Sequence, residues 1–111
     1  MTPAGLFHLD AEAVHAALAW KDIVEALRVA HTTREKPTAS ASIFNAPDTG
    51  GDQFVNLTAW SQSRSIAVKL VGVFPHNPAR SVPEPSVQGL VVLFDGTTGR
   101  PLMTCDGAAL T

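Results

Sequence analysis

Residues 66–74, Ile66-Ala67-Val68-Lys69-Leu70-Val71-Gly72-Val73-Phe74, decide how this chain is read. The run is dense in β-branched and aliphatic residues, and Pro75 stops it, which predicts a strand over 65–74. Side chains alternate across a strand, so Ile66, Val68, Leu70 and Phe74 share one face and Ala67, Lys69, Val71 and Val73 the other. Both faces are apolar, which predicts cover on both sides. Lys69 interrupts the pattern at its centre. A lysine there is costly to desolvate unless an anion or an acceptor meets it. One reading is a lysine that grips a carboxylate in a closed pocket. The other is a lysine near a sheet edge whose stem packs while its head reaches water.

Further strands are expected on either side. Residues 40–44 and 53–60 precede the central run, separated by the turn formers Pro47-Asp48-Thr49-Gly50-Gly51-Asp52. Residues 75–85 carry four prolines and read as an irregular loop. Residues 86–94 form another strand, Asp95-Gly96-Thr97-Thr98-Gly99 a hairpin turn, and 101–105 the returning strand. Two helices come first. Asp10 is placed to cap one bearing Ala11, Val14, Ala17 and Leu18 at helical spacing. A second carries Ile23, Val24, Leu27 and Ala30 on one stripe, with Asp22 and Glu25 assigned to its first turn and its end near Thr33. Two helices followed by a mostly antiparallel sheet of about five strands make an α+β fold.

A chain of 111 residues, 45% apolar and 16% charged, suits one globular domain spanning 1–111. Its net charge is −2, and the eight basic residues are scattered; the close cluster Arg34-Glu35-Lys36 contains its own acid. No nucleic-acid partner is expected. The N-terminus lacks the basic start and apolar run of a signal peptide, and no segment is apolar enough to span a bilayer. With Cys105 the single cysteine, a cytoplasmic protein without membrane association is expected.

The loop Phe74-Pro75-His76-Asn77-Pro78-Ala79-Arg80 is a second candidate site, since polar groups on a rigid loop beside a strand often bind ligands. The plainer alternative has Asn77 bonding its own backbone and Arg80 solvated or capping carbonyls. The four histidines and Cys105 show no metal-ligand spacing, so no metal is expected. There is no Gly-x-Gly-x-x-Gly and no P-loop. On chemistry alone the chain holds one anchoring lysine and no complete catalytic set.

Residues 68–80, then Pro85-Ser86-Val87-Gln88-Gly89, Leu93-Phe94-Asp95, Gly99-Arg100-Pro101-Leu102 and 106–111, resemble the ornithine cyclodeaminase/mu-crystallin family. The resemblance implies the N-terminal half of such an enzyme: a substrate-binding and dimerisation domain, ending at Thr111 before a Rossmann domain that binds NAD or NADP. It implies a cyclodeaminase, amino-acid dehydrogenase or ketimine reductase acting on a small amino or imino acid, in a homodimer. Lys69 is then similar to the family lysine that contacts the substrate, with a catalytic and substrate-binding role. Asn77 and Arg80 match an Asn-x-x-Arg loop that shapes the pocket. Ser86 falls where a threonine commonly stands near the nicotinamide.

The pattern departs in three places. Ala39 stands near the position of a substrate-binding arginine, leaving Lys36 or Arg34 to substitute. Leu57-Thr58-Ala59 replaces a Met-Pro-Ala. The glycine fingerprint and its neighbours lie beyond Thr111. The 111-residue chain alone is therefore expected to be inactive and to bind no cofactor well. The alternative is a free-standing dimerisation or binding module, or a decayed remnant without catalysis.

Overall fold

The structure, a computed structural model, describes residues 6–33 and 36–110. The elements run β1 (Phe7–Leu9), α1 (Ala11–Ala17), α2 (Trp20–Thr32), β2 (Thr38–Asn45), β3 (Gln53–Ser61), β4 (Ser65–Val73), β5 (Val87–Asp95), β6 (Pro101–Asp106) and α3 (Gly107–Leu110), with one 3-10 turn at Asn77–Ala79. All six strands join one sheet in the order β1-β6-β5-β4-β3-β2. The expected α+β class and both N-terminal helices stand. The sheet differs in detail: it is mixed, because β1 joins β6 in parallel, and it has six strands rather than five.

Local chemistry sets the element ends. The Asp10 carboxylate accepts from the Ala13 N–H at 2.8 Å and opens α1. Leu18 and Ala19 take extended backbone angles and break the two helices apart. Asp22 lies in the first turn of α2, whereas Glu25 sits a turn later, bonded to Arg28. In the 95–99 turn the Asp95 carboxylate accepts from the N–H groups of Thr97 and Thr98 at 2.8 and 3.0 Å. Those bonds hold its pKa below the ordinary value.

Register fixes what each face carries. Leu9, Cys105, Val91, Lys69, Leu57 and Ala41 stand opposite one another in a single row across all six strands. One end of the row is core: Val14 of α1 (3% exposed) packs with Val91 (5%) and Cys105 (4%), joined by Leu9, Met103 and Ala109. Burial, aided by the Asp106 carboxylate, pushes the Cys105 thiol up, so this sulfur serves packing rather than nucleophilic chemistry. Toward β2 the row opens, and Leu57 and Ala41 are exposed.

The expectation of cover on both faces of β4 is not met among the described residues. On the Lys69 face α3 reaches β4; no helix packs on the opposite face, and α2 packs against no other element. That opposite face carries Phe44, Phe54 and Trp60, all exposed.

Candidate functional site

Lys69 stands where the row passes from core to open surface. Its neighbours on the flanking strands are Leu57 and Val91. Two cavities meet at it. The first, about 330 Å³, is lined by Lys69, Val71, Val87, Gly89, Gly107 and Ala108. The second, about 570 Å³, spreads over the β2–β3–β4 surface, with Ala39, Ala41, Leu57, Ala59, Ala67 and Val91 around Lys69 and with Leu110 of α3 at its rim. Among the described residues, Lys69 is the one ionisable residue lining either cavity.

The first cavity owes its shape to two glycines. A Cβ on Gly107 would lie 2.6 Å from the carbonyl carbon of Gly89, so only glycine lets α3 start in backbone contact with β5. The Asp106 carboxylate caps the same turn, accepting from Ala109 N–H at 2.8 Å. The glycine inside an otherwise aliphatic strand was the sequence signal for this approach; sequence reasoning assigned it no role. It likewise missed the alanine floor of the second cavity, since small apolar residues carry no chemical signature.

The other candidates lie elsewhere. Asn77 is buried and ties the 74–86 loop together: its Nδ2 donates to Pro85 O at 3.0 Å, and its Oδ1 accepts from Arg80 Nε at 2.9 Å. Asn77 and Arg80 line a cavity with Phe54, Gly72, Phe74 and Gln88. By register those strand residues occupy the face opposite Lys69, so the structure does not bring Asn77 and Arg80 into either Lys69 cavity. Ser86 is half-buried just before β5, its carbonyl accepting from Phe74 N–H at 2.7 Å. It precedes Val87, which lines the smaller Lys69 cavity.

Ala39 lies in the larger Lys69 cavity, so the position matched to an arginine does face the candidate site, but with a methyl group. Lys36 does not compensate: it lines a different cavity, beside the β3–β4 turn. Arg34 lies outside the described residues. No group of three or more potential metal ligands occurs among the described residues, and no described helix is long and apolar enough to cross a membrane.

No family model matches the sequence. The chain is 34% identical over 94 residues to Delta(1)-pyrroline-2-carboxylate reductase of Paracoccus denitrificans (strain Pd 1222), covering 85% of this chain and 28% of that protein. Its fold is that of a lysine cyclodeaminase solved for recognition of L-lysine, L-ornithine and L-2,4-diaminobutyric acid (TM-score 0.72, 22% identity), covering 96% of this chain and 34% of the other. It equally matches Delta(1)-pyrroline-2-carboxylate reductase of Thermococcus litoralis, solved with NADH and L-proline (TM-score 0.72, 22% identity, 90% of this chain and 31% of the other). The chain thus spans about a third of the length of these relatives. By sequence, by fold and by the run around Lys69, it belongs to the ornithine cyclodeaminase/mu-crystallin family.

Proposed function

We propose that this chain is the substrate-binding and dimerisation portion of an NAD(P)-dependent enzyme of the cyclodeaminase or ketimine reductase type, with Lys69 as its substrate anchor. One observation carries the reading: among the described residues, Lys69 is the sole charged side chain lining two adjoining apolar cavities at the centre of the sheet. An ammonium group beside an apolar floor holds a carboxylate more strongly than one in water, because little solvent screens the pair. In the same position it draws electron density from a carbonyl or imine carbon next to that carboxylate. Among the described residues the floor offers no acidic side chain, so the substrate that fits is an imino or keto monoanion. A diamino acid would bring a second cation with no counter-charge on the lining.

The full enzyme's cofactor would supply hydride. The described residues do not fit a dinucleotide: they contain no glycine-rich phosphate turn, and Ser86 is the single candidate contact. No step is therefore assigned through the cofactor, and the 111-residue chain alone is proposed to be inactive. A homodimer is proposed as well. The exposed Phe44, Phe54 and Trp60 on the opposite face are the feature that favours it, and equally a free-standing assembly module.

A titration followed by NMR tests the anchor. A small imino or keto acid should shift resonances of β3, β4 and β5, and Lys69→Met should weaken binding about tenfold or more, the worth of one charge-assisted bond. Equal binding by the variant would remove Lys69 from the role. Sedimentation at micromolar concentration should give a dimer, and a monomer there would overturn the assembly claim.

A further inference from the structure

A polar cavity lies at the β3–β4 turn, away from Lys69. It measures about 610 Å³ and is lined by Lys36, Thr38, Trp60, Ser61, Gln62, Ser63 and Arg64. Lys36 and Arg64 bring two cations to its lining, beside Thr38, Trp60, Ser61, Gln62 and Ser63, and no acid lines it among the described residues. In a chain of net charge −2 that is a local reversal of sign. The ion pair between Arg28 and Glu25 involves neither cation. Asp95, opposite Ser65 in the ladder, is engaged by the N–H groups of its own turn.

The turn that presents these groups is clamped. Arg64 N–H donates to Ser61 O at 3.0 Å, and Gly96 N–H donates to Arg64 O at 3.1 Å. Trp60 Nε1 donates to Gly96 O at 3.0 Å. Gly96 permits this approach, since a Cβ there would lie 2.7 Å from Ser65 N. Ser63 is held at φ 64°, in the left-handed region that non-glycine residues rarely adopt. Such positions persist where the surroundings over-determine them, as in this tight hairpin turn.

We infer that this cavity binds a phosphoryl dianion. A carboxylate is satisfied by one cation. Two cations from separate segments, in a cavity also lined by hydroxyl- and amide-bearing residues, match the charge and the several acceptor oxygens of a phosphate group. The Trp60 ring gives an organic substituent a flat wall. The site is separate from the Lys69 anchor and stands independently of it.

The test uses the 111-residue chain and 15N NMR, with the two indole signals assigned through Trp20→Phe. Inorganic phosphate and phenyl phosphate are titrated against acetate at matched ionic strength. Both phosphates should shift the Trp60 indole and Arg64 amide signals saturably, in the millimolar range. Lys36→Ala and Arg64→Ala should each weaken binding about tenfold, while Arg28→Ala, which removes the same charge from α2, should leave it unchanged. A preserved Trp60 indole shift in the unliganded variants reports that the turn is intact. Tighter binding of phenyl phosphate assigns the site to a phosphomonoester, and equal binding assigns it to free phosphate. Equal shifts with acetate, a lack of saturation, or equal loss in Arg28→Ala would overturn the inference.

Discussion

The two N-terminal helices are neighbours in sequence and opposites in use. Both are amphipathic. In α1 the stripe finds its partner: Val14 sits against Val91 and Cys105. In α2 no residue is buried, and Trp20 and Val24 remain 81% and 60% exposed. Amphipathic spacing therefore says which side of a helix takes cover, and not what supplies it. The sheet repeats the contrast along one row, where Cys105 and Val91 are core and Leu57 and Ala41 are surface.

Substitutions can break or sharpen this contrast. Truncating Val14 to alanine should have the largest effect, about 2 kcal/mol lost in urea unfolding, because the cavity left beside Val91 and Cys105 has little around it to collapse. A loss below about 0.5 kcal/mol would show that α1 docks no more firmly than α2. Asp10→Ala removes the bond to Ala13 N–H and should cost about 1 kcal/mol, with Asp10→Asn recovering most of it. The pair Val24→Ser and Leu27→Ser should change the monomer's stability by no more than about 0.5 kcal/mol, as exposed sites do. If the pair instead lowers the midpoint in a concentration-dependent way, α2 is covered by a second copy, and the two helices differ only in whose surface they use.

Much of the fold was legible. The five longer strands and both helices followed from periodicity, and the 95–99 turn from its Asp and Gly residues. β1 was not legible: three residues, Phe7-His8-Leu9, are too few to show a period, and their partner lies across the whole domain. For β4 only the need for cover was legible, because an apolar face reports a need for burial and not its source. At the site, Lys69 announced itself as a charge in an apolar run. Its surroundings did not, being mostly aliphatic residues and two glycines. Asn77 and Arg80 were visible as polar loop residues, but nothing in their spacing could tell which face of the sheet they would border.

The pairing of β1 with β6 has a consequence in time. His8 Nδ1 meets Thr104 Oγ1 at 2.8 Å across 96 residues of chain, and α1 docks on strands formed almost as late. The β2–β3–β4–β5 meander can zip through short hairpins as each segment emerges. The strand Phe7–Leu9 must wait for Met103–Cys105 before it finds a partner. During that wait Val14 and Leu9 stay uncovered, so this segment is the part of the domain most in need of a chaperone.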